Sequence, residues 1–182
     1  MSTLQGHALV SMPSLRDRNF YKSIVHICGH NQQGAFGFVT NRKMDIQVAQ
    51  GIGEHLGLAD SQLDKIYWGG PCSVDTVMIL HSSEYEISST REITNWLSLT
   101  RDRTIIRDIL AHLGPEQYKI MLGHSAWGPG QLEHEMKIQQ SWISFESDIK
   151  WAMTDALVWE DALVYAGESK TAKLLDSIFH ES

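Results

Sequence analysis

Cysteine is scarce in this chain: of 182 residues only Cys28 and Cys72 carry thiols, and neither sits in a C-x-x-C or a Cys/His cluster. That removes the usual sequence support for a disulfide framework, a zinc site or dithiol chemistry, and leaves the expectation of a cytoplasmic protein with two reduced thiols. Proline is nearly as rare, with four residues that punctuate the chain without dividing it. No apolar run approaches the ~20 residues of a membrane-spanning helix, and the first residues lack the basic-then-apolar pattern of a secretory leader. Basic charge is in deficit: 15 Lys+Arg against 22 Asp+Glu give a net charge of −7. A protein that holds nucleic acid through its phosphates needs the opposite balance, so nucleic acid is not the expected partner. Repeats and low-complexity tracts are missing too.

What is present is a chain long enough to bury a core unaided, with 42% hydrophobic residues. Segment types alternate. Ser23-Ile24-Val25-His26-Ile27-Cys28 and Ala35-Phe36-Gly37-Phe38-Val39-Thr40 read as two strands, joined closely enough for an antiparallel hairpin. Gly37 within the second predicts a bulge or a close backbone approach. Apolar spacing predicts a helix from Ile46 to Leu58. Short strands follow at Ile66–Trp68 and Thr76–His81, with Glu84–Ile87 as an edge strand or extended loop. An amphipathic helix is expected over Asp102–Leu113, stopped by Gly114-Pro115. Tyr118–Leu122 reads as a strand that enters a turn over Gly123–Gly130, and Gln131–Gln140 as the helix leaving it. Ser141–Phe145 returns as a strand, and Trp151–Tyr165 as a late helix. The expectation is a mixed α/β fold with a largely antiparallel sheet and flanking helices: one domain over 1–167, with room for a small α+β lobe, and a tail over 168–182 that docks weakly or frays.

The stretch from Gly123 to Glu135 is the most informative for chemistry. Its glycines permit close approach of a ligand or another backbone. The helix start offers free N–H groups, although Glu133 would compete there with an anion. Gly123-His124-Ser125-Ala126-Trp127 begins like a nucleophile elbow, but Trp127 stands where the elbow needs glycine and no Asp then His follow in order. His124, His134, Glu133 and Glu135 do not form H-E-x-x-H, so no metal is expected. Cys72 after Gly69-Gly70-Pro71 reads as an inert thiol, because nothing basic adjoins it. Arg101, Arg103 and Arg107 read as a solvated helix face. Trp127 reads as a plug over the core, with a stacking surface as the alternative.

Across these residues the chain resembles the YqgE/AlgH family of bacterial proteins. The resemblance runs from about His7 to Gly167. It is carried by Met12-Pro13, Leu15, Asp17, Phe20, Ser23 and His30, by Gly34–Arg42, by Gly69-Gly70-Pro71 and His81, and most specifically by Gly123, Trp127, Gly130-Gln131-Leu132-Glu133, Glu135 and Trp142. Trp159, Ala162 and Leu163 complete it. The chain departs from the family pattern in having Lys43-Met44 after Arg42 in place of proline, His124 in place of tyrosine, and a longer tail. The resemblance implies a mixed α/β fold, no agreed enzymatic activity and no known cofactor; part of the family carries a label of transcriptional regulator.

The function expected from the sequence is therefore a non-enzymatic cytoplasmic protein that binds a protein partner or small ligand in one groove. Asn41, Arg42, Trp127, Gln131 and Glu133 are its candidate contacts. Two alternatives stand beside it: a hydrolytic or transfer enzyme using Ser125 or His124, and a DNA-binding regulator.

Overall fold

The computed structural model describes residues 3–180. Nine strands and five helices follow in the order β1 (His7–Ser11), β2 (Ile24–Asn31), β3 (Gly34–Val39), α1 (Ile46–Leu56), β4 (Ile66–Trp68), β5 (Cys72–Ser82), β6 (Arg91–Glu92), β7 (Leu97–Thr100), α2 (Thr104–Leu110), β8 (Tyr118–Trp127), α3 (Gln131–Lys137), β9 (Trp142–Glu146), α4 (Ile149–Met153) and α5 (Trp159–His180). A two-turn 3-10 helix at Asp60–Lys65 precedes β4. The sheet order is β6-β7-β5-β8-β3-β2-β1-β9, with β4 pairing β8 beside this path. Every pairing is antiparallel except β4 with β8. The mixed, largely antiparallel α/β expectation is met, and so is the β2–β3 hairpin.

β8 organises the sheet. Its first half pairs β5 on one side and β4 on the other, while its last three residues pair β3. Gly123, at φ +72, sits between the halves, and a side chain there would press on the Gly70 carbonyl. Only glycine takes this left-handed position cheaply while another backbone crosses so closely.

The strand therefore does not end at Leu122 as its sequence suggests. Ladder pairing beyond Gly123 carries it to Trp127, and the turn shrinks to Gly128–Gly130. β1 and β7 were not legible as strands, although Ala8-Leu9-Val10 and Leu97–Thr100 are buried throughout. Glu84–Ile87 is a loop.

Helix boundaries also differ. α1 starts where the Asp45 carboxylate accepts the Gln47 N–H at 2.9 Å and ends at Gly57 in a left-handed cap. α2 is shorter than its pattern: it begins at Thr104, whose N–H is capped by Asp102, and ends before His112 takes φ +61, leaving Leu113 exposed. Arg101 consequently lies outside the helix. The late helix is two, α4 and α5, separated by a loop at 154–158. α5 runs unbroken through Gly167 to His180, so there is no separate tail among the described residues; beyond Lys170 it is exposed, Leu174, Leu175, Ile178 and Phe179 included. No helix among the described residues is long and apolar enough to cross a membrane.

The two faces of the central strands bury different layers. Ile66, Ile79 and Ile120 pack with Ala49 of α1 and Ile105, Ile106 and Ile109 of α2. Tyr67, Leu80 and Met121 face the other way, with Phe38 and with Ala152 and Met153 of α4. This alternation follows from the two-residue period of a strand. Lys119, paired opposite Leu80, falls on the second face and is 2% exposed.

Candidate functional site

β3 and β8 are neighbours, with Ala35 opposite Trp127 and Gly37 opposite Ser125. The two stretches expected to form one groove thus do meet, but only at one end. Asn41 and Arg42 lie six and seven residues farther along the chain than Ala35, about 20 Å or more at the rise of a strand. Trp127, Gln131 and Glu133 cluster near the β3 start; Asn41 and Arg42 do not join them.

Each of these five side chains is engaged inside the protein. Trp127 is buried and packs with Phe20 and Trp142, the two indoles edge to face at 6.0 Å. Its Nε1–H and that of Trp142 both donate to Glu135 Oε1, at 3.3 and 3.1 Å. Gln131 donates to the other Glu135 oxygen at 2.9 Å and accepts the Gly128 N–H at 3.0 Å, which closes the turn. Glu133 accepts from His30 Nε2, whose Nδ1 in turn accepts the Leu4 N–H. The His30 hydrogen bond holds the Glu133 carboxyl below its ordinary value. Glu135→Ala would leave two buried indole N–H groups without an acceptor and should cost about 2 kcal/mol in chemical denaturation, with Glu135→Gln recovering part of it.

Ser125 is fully buried within β8, and its hydroxyl donates to the Gly69 carbonyl at 3.1 Å. His124 is its chain neighbour on an extended strand, so the two side chains leave opposite faces. They do not form a nucleophile and base. Among the described residues no group of three or more His, Cys, Asp or Glu side chains converges as a metal cage would require. Cys28 is buried, which pushes its thiol up to about 12.

Asn41 leads to a different site. Its Oδ1 accepts the Ile24 N–H and its Nδ2 donates to the Lys22 carbonyl, both at 3.0 Å. Arg42, over the Trp68 ring, donates to the carbonyls of Asn19 and Tyr21. These two residues clamp the entry to β2. Asn41 also lines a cavity of about 390 Å3 between the β2–β3 ends and the α4–α5 loop. Trp151 and Trp159 wall it with Ile24 and Leu157; two ion pairs supply the charge, Lys43 with Asp155 at 3.1 Å and Lys22 with Glu160 at 4.0 Å.

At that wall a polar cluster runs from the buried Lys119 and Tyr67 to the half-exposed Asp155 and Lys43. The Lys119 ammonium donates to the Thr40 carbonyl at 2.7 Å, lies 4.3 Å from the Tyr67 ring centroid and faces Asp155 Oδ1 at 3.8 Å. The Tyr67 hydroxyl donates to the same oxygen at 2.7 Å, and Lys43 meets the other at 3.1 Å. Burial lowers Lys119 from 10.5 to about 8, opposed by Asp155. Burial and the Asp155 carboxylate push the Tyr67 hydroxyl up. Burial works to raise Asp155, but the Tyr67 and Lys43 hydrogen bonds and Lys119 prevail and hold it low. Asp155 is thus an ionised group with its hydrogen-bonding capacity largely spent on fixing the cavity wall. Sequence reasoning missed Lys119, Tyr67 and Asp155. The one signal was a lysine beginning the otherwise apolar run Lys119-Ile120-Met121-Leu122.

The comparisons with known proteins agree with this fold. The family model described as DUF179, AlgH-like, matches residues 8–170. The UPF0301 protein HRM2_24640 of Desulforapulum autotrophicum is 34% identical over 164 residues, covering 83% of this chain and 86% of that protein. The UPF0301 protein PSHAa2600 of Pseudoalteromonas translucida is 32% identical over 177 residues, covering 92% and 93%. The solution structure of AlgH from Pseudomonas aeruginosa superimposes with a TM-score of 0.72 at 29% identity, over 100% of this chain and 97% of that one. The matched span takes in β8, the α3 turn and the α4–α5 cavity together, and the chain belongs to the AlgH-like, UPF0301 family.

Proposed function

We propose that this protein binds a small amphipathic ligand, with a planar apolar body and a polar end, in the cavity between Asn41 and the α4–α5 loop. The observation that carries the reading is the pairing of two indole walls, Trp151 and Trp159, with the fixed Lys43–Asp155 ion pair in one recess. Few, well-oriented polar groups in an apolar concavity are what small-molecule sites share. Binding rather than reaction is the fitting role. Asp155 is already taken up by Tyr67, Lys43 and Lys119, and both ends of the Asn41 amide are occupied. A proton-transfer group would need a free valence facing the ligand. The reading is of a cytoplasmic, non-enzymatic binder whose occupancy serves regulation. Its net charge of −7 weighs against duplex DNA as the thing regulated.

Anilinonaphthalene sulfonate, planar and apolar with one charged end, is a suitable probe. Titration should give saturable fluorescence with energy transfer from tryptophan. Val158→Trp, which fills the cavity mouth without touching the Lys119–Asp155 pair, should weaken binding about tenfold. Unsaturable binding, or the same affinity in Val158→Trp, would refute the assignment.

A further inference from the structure

We infer that a second recess, on the far side of the β5–β7–β8 sheet edge, is a binding site for a small phosphorylated molecule. The recess has a volume of about 400 Å3 and carries Arg91, Arg101, His124, Ser73, Thr76 and Ser89 on its walls. No Asp or Glu lines it, in a chain whose net charge is −7. The fold gathers these groups by register. Arg91 on β6 stands opposite Leu99 on β7, and Arg101 follows Leu99 by two residues, so both guanidinium groups rise from one face.

The donors are unspent. Among the described residues neither Arg91 nor Arg101 is in an ion pair. Asp75 and Asp102 line an adjoining cavity that Arg101 shares, yet neither reaches it within ion-pair distance. Arg91 lies over the Phe36 ring at 5.1 Å, which orients its plane and leaves its edge free. His124 Nδ1 is buried without a hydrogen-bond partner. Ser73 adopts φ +48, a conformation a serine takes only when its surroundings impose it. Burial and the charge on Arg101 depress the His124 imidazole, as expected beside an unneutralised basic group.

An oxyanion between the two forks would satisfy Arg91, Arg101, His124 and the three hydroxyls at once. Arginine in pairs suits phosphate because its planar fork matches two oxygens together. The volume exceeds a bare ion, and Phe36, Met78 and Leu99 offer an apolar wall for an organic remainder.

The test is a titration of the isotope-labelled full chain with glycerol phosphate, inorganic phosphate and acetate at constant ionic strength, read by amide and arginine side-chain shifts. Saturable shifts at Ser73, Ser89, Arg91, Arg101 and His124 are expected, with glycerol phosphate the tightest and acetate the weakest. Arg91→Gln should weaken binding about tenfold and the Arg91→Gln/Arg101→Gln pair about a hundredfold. Both side chains are exposed, so the variants fold, and an unchanged melting temperature checks it. The double lysine variant keeps the charge and should recover only part of the loss. Acetate binding as tight as phosphate, full recovery with lysine, shifts without saturation, or unaltered affinity in the double glutamine variant would each overturn the assignment. None of these results bears on Val158 or the first cavity, so the two sites fail or stand separately.

Discussion

Acidification from neutral pH toward pH 3 should destabilise the protein by several kcal/mol, and His26 should carry the largest share. The imidazole is fully buried in β2, with Nδ1 against the Thr40 hydroxyl at 3.1 Å and Nε2 against the Ser147 hydroxyl at 2.8 Å. Burial, helped by the positive charge of Lys119, lowers it from 6.5 to about 3. Between these values the unfolded chain binds a proton that the folded chain refuses. Stability therefore rises with pH through the window, is complete above 6.5, and is lost as the pH falls toward 3. The full loss amounts to roughly 4–5 kcal/mol. His81 and His124 are lowered too, principally by burial, so they act in the same direction. Urea midpoints measured at successive pH values should show the slope, and His26→Gln should flatten it without abolishing it. A wild-type stability that is level between pH 6.5 and 4.5 would contradict the burial of a neutral ring.

Asp155→Ala should cost about 2–3 kcal/mol. The substitution strips Lys119, 2% exposed, of its counter-charge and deprives the Tyr67 hydroxyl of its acceptor. Removing one member of a buried ion pair is among the costliest single changes, because the other charge stays behind. The Asp155 side chain is 48% exposed, so solvent screens part of the attraction and the cost falls below that of a fully buried pair. Lys119→Met removes the charge itself and should cost less than Asp155→Ala; in the Lys119→Met background, Asp155→Ala should lose much of its effect. A double-mutant cycle by chemical denaturation measures this coupling. Alkali gives a second readout. Because Lys119 sits near 8 when folded and 10.5 when unfolded, its contribution to stability should increase with pH between those values and vanish in Lys119→Met. A larger loss from Lys119→Met than from Asp155→Ala would reverse the assignment of which partner leaves the uncompensated charge.

The alternation of the sequence made the core strands legible. Ile24–Cys28, Ala35–Val39 and Ile66–Trp68 announce themselves by β-branched and aromatic residues, and their hairpin by its short connection. Where the reading stopped short, tertiary contact had overridden local chemistry. Gly123 looks like the end of a strand, but the neighbouring β3 ladder carries the chain through it to Trp127. Gly167 looks like a break, yet α5 passes straight across it. The candidate residues were recognised as special without their roles being visible. Asn41, Arg42, Trp127, Gln131 and Glu133 spend their polar atoms on other groups of the protein, and that depends on partners between three and about a hundred residues away. The cavities were invisible for the same reason. Lys119 meets Asp155 across 36 positions, and Arg91 shares a face with Arg101 only through the β6–β7 register.

The arrangement around β8 has a consequence for how this chain can fold at all. Were the strand to slide by a single residue, Lys119 would exchange places with its neighbour. Its ammonium would enter the oily layer where Ile120 now meets Ile66, Ile79 and the two helices above them, while an isoleucine would be presented to Asp155. A solvated lysine would tolerate such misalignment; one that must find a carboxylate does not. The same charge that burdens the native state therefore burdens the out-of-frame sheet more, and so helps to specify the register.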